Sequence, residues 1–215
     1  MGIIPSGILG PVYNKTGAVV GRKKGKINTV SGLPRKTSKV ATAPQALSRN
    51  KLGILSEFFC RISPLINAGF KAYKKNGSAR NAAHSYNAGH AFITGEDGAL
   101  KLNYPKLVLS RGSVVAPLVR SVRKVNDQII FEWLAQPQSQ YCLSGDKASF
   151  LIVNEDQNGE VRLFMNQARR DSLSFAIDLD PKKASHTYHC YFCFSSAEGK
   201  ITGNSIYVGC IGEGL

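Results

Sequence analysis

The last hundred residues fall into short apolar runs separated by turn-forming residues, and this spacing restricts the fold more than any other feature of the chain. Strand-like runs occupy residues 114–124, 128–134, 147–154, 160–165, 172–179, 186–196 and 200–209. Asn126-Asp127, the stretch from Asp156 to Gly159, Asp180-Pro181 and Glu198-Gly199 lie between them, and such residues favour turns. Seven short strands at this interval, in about 100 residues, predict an antiparallel β-sandwich.

The preceding residues are different in kind. Glycines at 2, 7, 10, 17, 21, 25 and 32, with Pro5, Pro11 and Pro34, exclude a helix of useful length from residues 1–41. That segment reads as an extended arm. Val19-Val20 and the run Ile27 to Val30 flank Lys24-Gly25, a two-residue turn that would set Lys23 opposite Lys26. A like-charge pair weakens an isolated ribbon, so the arm is expected to order against its own body, a neighbouring subunit or a polyanion. From Thr42 the pattern turns helical. Thr42-Ala43-Pro44-Gln45 reads as a capping box, and Leu52, Leu55, Phe59 and Ile62 form one stripe at helical spacing. Pro64 restarts the helix, a second stretch covers Leu65 to Tyr73, and Ser78 caps a third. The expected fold class is α+β: an extended basic arm over 1–41, a helical cluster with short strands over 42–111, and the sandwich over 112–215.

Charge follows the same division. The chain carries a net +14. Residues 1–111 hold 18 Lys and Arg against 3 Asp and Glu, and residues 112–215 hold 10 against 11. The first carboxylate is Glu57. Such asymmetry points to a surface facing a polyanion or another subunit. The candidate contacts are Arg22, Lys23, Lys24, Lys26, Arg35, Lys36 and Lys39, all within a carboxylate-free stretch. No secretory leader pattern and no apolar run long enough for a membrane helix is present. The expected location is the cytoplasm, or an assembled particle released by a non-Sec route, without membrane insertion.

The residues that carry chemistry elsewhere do not converge here. Cys190-x-x-Cys193, with His186 and His189 upstream, has the look of a metal knuckle. On a strand, however, Cys190 and Cys193 face opposite sides, so they read as core thiols. His84 and His90 are six apart on a helical run and do not share a face. There is no GxxxxGK[ST] or GxGxxG loop. The expectation is no metal, no cofactor, no catalytic residue and no enzyme.

Two resemblances add to this. Residues 114–210 resemble a fibronectin type III or immunoglobulin-like sandwich. Trp133, at the end of IIFEW, stands where that family places a core tryptophan, and Leu179, Pro181 and Tyr188 take its E–F corner positions. Trp133 and Tyr188 are thereby implied to be core anchors. The whole chain resembles an uncharacterised family of basic proteins of about 200 residues from Bacteroidota. The likeness rests on Gly17-x-Val19-Val20-Gly21, Gly32-Leu33-Pro34-Arg35-Lys36, Thr42-x-Pro44-Gln45, Leu65-x3-Gly69-Phe70, Asn81-Ala82-Ala83, Tyr104-Pro105-Lys106 and Leu109-Ser110-Arg111-Gly112. It implies one unit and no activity. The segment from Gly32 to Gln45 is also similar to one common in phage structural proteins. Two functions stay open: a structural subunit whose arm joins a homo-oligomer or larger phage-like assembly or filament, and a sequence-independent nucleic-acid binder.

Overall fold

A computed structural model of the chain describes residues 10–24, 27–34, 40–74, 77–95, 98–156, 159–181 and 186–212, and not the side chain of Lys24. It divides into two compact units, residues 1–42 and 43–215.

The first unit is a meander rather than a plain extended arm. Strands β1 (Asn14–Thr16), β2 (Val19–Lys24) and β3 (Ile27–Gly32) pair antiparallel in the order β1-β2-β3. The hairpin register differs by one residue from the expected turn. Lys24 pairs with Ile27 and Lys23 with Asn28, so Lys23 does not face Lys26; residues 25 and 26 themselves lie outside the described residues. All six residues of β3 are exposed.

The second unit begins with α1 (Ala43–Arg61), α2 (Ser63–Gly69) and α3 (Ala79–Asn87). Pro64 occupies the first turn of α2, where its missing N–H costs little. The Ser78 hydroxyl accepts from the Asn81 amide at 3.1 Å and starts α3. In α1 the stripe is shorter than expected: Leu55, Phe59 and Ile62 are buried, but Leu52 is 56% exposed. A small hairpin, β4 (Phe92–Thr94) with β5 (Leu100–Leu102), follows.

The remaining strands are β6 (Val119–Val125), β7 (Gln128–Trp133), β8 (Lys147–Asn154), β9 (Glu160–Arg169), β10 (Ser174–Asp178), β11 (Tyr188–Ser195) and β12 (Ile206–Ile211). They form an antiparallel three-stranded sheet, β10-β7-β6, and an antiparallel four-stranded sheet, β12-β11-β8-β9. Every residue of β11 is buried, as are all but the first of β8. Alternation sends Leu151, Val153, Tyr191 and Cys193 into a cluster with Phe59, Ile62, Ile66 and Phe70 of the helical segment. Phe150, Ile152, Cys190, Phe192 and Phe194 enter a second cluster with Ile129, Phe131 and Trp133 of β7. The helices therefore cover one face of the four-stranded sheet and the smaller sheet covers the other. The boundary drawn at 111/112 from sequence is not a boundary between compact units, because the sheet needs the helices to cover its second face.

Residues 107–114 strap these layers together. Asn87, fully buried, donates to the Val108 carbonyl and accepts from the Val108 amide, both at 2.9 Å. Ser110 Oγ donates to the Gly203 carbonyl at 2.7 Å, and the Ser205 amide donates to the Ser110 carbonyl. Two glycines permit the approach. A Cβ on Gly69 would lie 2.7 Å from Ser110 Cα, and one on Gly112 would overlap the Thr202 carbonyl.

A buried ion pair, Arg170 with Asp146, 3.1 Å apart, sits just before the start of β8 and just after the end of β9. Arg170 also donates to Gln136 Oε1 (2.7 Å) and the Val115 carbonyl (2.8 Å), and its guanidinium lies 3.8 Å from the Phe194 ring centre. Removing one partner strands a buried charge. Asp146→Ala is expected to lower the unfolding free energy by about 3–5 kcal/mol in urea melts. Leu52→Ala, at an exposed position, is expected to change it by less than about 0.5 kcal/mol.

Candidate functional site

Of the seven basic residues singled out in the arm, Arg22 and Lys23 lie exposed on β2 and Lys24 ends that strand. Lys26, Arg35, Lys36 and Lys39 lie outside the described residues. Arg22 and Lys23 are neighbours on a strand, so they project to opposite faces, and the meander shows a cation on each side. The Thr29 hydroxyl donates to the Arg22 carbonyl across the hairpin at 3.2 Å.

A second basic site is built by the strap. The Arg111 amide donates to the Gly69 carbonyl at 3.0 Å, which fixes Arg111 against the end of α2. Its guanidinium carbon lies 4.3 Å from the Tyr73 ring centre and 4.2 Å from that of Tyr86. Tyr73 ends the short helical turn Lys71–Tyr73, and Tyr86 lies in the last turn of α3. Phe70 braces both tyrosines, at 6.4 and 6.3 Å between ring centres. The three groups border a cleft of about 530 Å³ that Lys74, Ser78 and Asn81 also line, and among the described residues no carboxylate lines it. Sequence reading missed this site because Tyr73 and Tyr86 stand 38 and 25 residues before Arg111, and only the fold joins them.

The late cysteines and histidines lie where strand alternation sends them. Cys190 faces the aromatic cluster and Cys193 the helical one. Burial pushes the Cys193 thiol up to about 12 and raises Cys190 as well. His186 Nδ1 meets Asn154 Nδ2 at 2.8 Å. His189 makes a different set from the one its local spacing suggests. Its Nε2 lies 3.0 Å from Glu155 Oε2 and its Nδ1 2.9 Å from the Tyr207 hydroxyl, while the Tyr104 ring stacks on it at 4.2 Å. Donor atoms of Glu155, His189 and Cys210 all lie within 4.8 Å of one another. Cross-strand pairing of His189 with Cys210 brings the thiol there, a placement that spacing along one strand does not reveal. Both imidazole nitrogens already have partners, so the set works as a hydrogen-bond relay anchoring the turn after β8.

Trp133 and Tyr188 are both buried. The Trp133 indole N–H donates to the Arg170 carbonyl at 2.7 Å, and burial raises the Tyr188 hydroxyl. Asp178 accepts from Gln128 Nε2 at 2.6 Å, and its carbonyl accepts from Arg162 at 2.7 Å, which ties it into the strand ends.

Two outcomes follow from these environments. A thiol reagent is expected to label the exposed Cys60 in the native protein and to reach buried Cys142, Cys190 and Cys193 only on unfolding. Burial holds His189 below the ordinary 6.5, outweighing the upward pull of Glu155, and burial with Arg80 does the same to His84. Unfolded histidine takes up its proton near 6.5 while the folded residues resist it, so their stabilising contribution is full above 6.5 and is lost as pH falls below it. The melting temperature is expected to decline on acidification through that window, and the slope to flatten in a His84→Gln/His189→Gln double variant.

No curated protein matches the chain. A family of unknown function, DUF6266, matches residues 10–209. With nearly the whole sequence inside that match, the chain belongs to the DUF6266 family of unknown function.

Proposed function

We propose that the protein is a non-catalytic assembly subunit whose N-terminal meander pairs with a neighbouring copy. The observation that carries this is β3, an edge strand with six exposed residues, among them Ile27 at 67% and Val30 at 56% exposure. A sheet of three short strands is marginal in water by itself, and an open edge offers a row of main-chain donors and acceptors to another strand. Basic side chains on both faces of β2 suit an acidic surface on the recipient. A contact of this head-to-tail kind closes into rings or extends into filaments, as in phage-like structures.

The frame that would carry the meander we read as a helical layer on a fibronectin type III or immunoglobulin-like sandwich. The orders β10-β7-β6 and β12-β11-β8-β9 support that reading, as do Trp133 on β7 and Tyr188 at the start of β11. The non-catalytic reading is supported by thiols raised by burial and a histidine engaged at both nitrogens. A second reading, sequence-independent nucleic-acid binding, is favoured by exposed Arg22 and Lys23 in a stretch without carboxylates.

Light scattering of the full chain and of a chain lacking residues 1–42 separates the two. The assembly reading expects concentration-dependent oligomers only from the full chain, weakened by Val30→Asp. Monomers from both at every concentration would overturn it. The second reading expects binding to plain DNA whose affinity falls steeply with salt and which Arg22→Glu/Lys23→Glu weakens.

A further inference from the structure

We infer that the cleft beside Arg111 is a binding site for a phosphate group, independent of the meander. An arginine held against two aromatic rings is drawn to their faces and still has N–H groups to offer an acceptor. Among the described residues the Arg111 side chain has ring contacts and no hydrogen-bond or ion-pair partner. Its donors therefore stand ready beside the cleft, and contact with the Tyr73 and Tyr86 rings limits how far they can wander. Such prior ordering reduces the entropy lost on binding.

The rest of the lining fits an anion with charge near −2. Lys74 adds a second cation, Ser78 and Asn81 add a hydroxyl and an amide, and among the described residues no carboxylate lines the cleft to neutralise them. A phosphate monoester has the matching charge and three oxygens to distribute among a guanidinium edge, an ammonium and neutral donors. A lone carboxylate has half the charge and one fewer oxygen. Tyr73 and Tyr86, 39% and 40% exposed, leave aromatic surface at the rim for a planar group attached to the phosphate. The basic arm has little to offer in this respect, since Tyr13 is its one aromatic residue. Free nucleotides and the phosphorylated end of a nucleic-acid strand carry the same group.

Calorimetric titration of the full chain with inorganic phosphate, adenosine 5′-monophosphate, adenosine and acetate tests the site. Phosphate and the nucleotide are expected to bind, with adenosine and acetate silent. Arg111→Lys, which keeps the charge but loses the planar fork, is expected to weaken nucleotide binding about tenfold or more. Lys74→Gln, at an exposed position, should weaken it without changing the melting temperature, which keeps the test valid should Arg111→Lys unfold the protein. Competition by a 5′-phosphorylated oligonucleotide but not its 5′-hydroxyl form would assign the group to a nucleic-acid end, and its failure to compete would assign it to free nucleotide. Acetate binding as tightly as phosphate, no phosphate binding at millimolar concentration, or full binding retained in the Lys74→Gln and Arg111→Lys variants would each overturn the proposal.

Discussion

Burial of β8 and β11 on both faces is the constraint from which the second unit follows. A strand sends alternate side chains to opposite sides, so two neighbouring strands that are apolar throughout need two separate coverings. Tyr191 and Cys193 reach the helical cluster, while Phe192 and Phe194 reach the aromatic cluster shared with Trp133. Neither covering is optional. Removing the helices would expose Leu151, Val153 and Tyr191 to water, and removing the smaller sheet would expose Phe150, Ile152 and Phe192. Hydrophobic burial of this size dominates the favourable side of folding, which is why residues 43–215 form one compact unit.

Much of the secondary structure was legible in the sequence, and its assembly much less so. Strand positions could be read because turn residues and apolar alternation are local signals. Ser78 could be read as a cap for the same reason. The run Tyr188 to Ser195 held a further signal, since a strand without polar alternation announces double-sided burial, and drawing a boundary at 111 passed over it. Leu52 fits the helical spacing but lies beyond the reach of the sheet that covers Leu55 and Phe59. The hairpin register was missed by one residue because period and turn type alone do not fix which two residues make the connection. Arg170 with Asp146, Arg111 with its tyrosines, and His189 with Glu155 and Tyr207 all join residues distant in sequence. Each is legible only once pairing and packing are known.

The electrostatic asymmetry has a structural counterpart. The meander carries cations without acids, and the helical segment adds Lys74 and Arg111 beside exposed tyrosines. The strand-rich remainder instead pairs its charges internally, as in Arg123 with Glu132 and Arg170 with Asp146. Charges paired in this way hold a frame together and leave little field for a partner, whereas unpaired cations supply long-range attraction and orientation. The proposed contacts lie accordingly on the meander and beside the end of α2, where Arg111 and Lys74 stand.

Arg111 is gripped by its main chain from two directions, its amide by the Gly69 carbonyl and its carbonyl by the Thr202 hydroxyl. The first grip belongs to the helical layer and the second to the loop joining β11 to β12. A tug on the guanidinium is thus passed by the Arg111 main chain to α2 and to the loop between β11 and β12 at once. Whatever seizes that residue takes hold of the entire second unit, as a handle riveted to a plate.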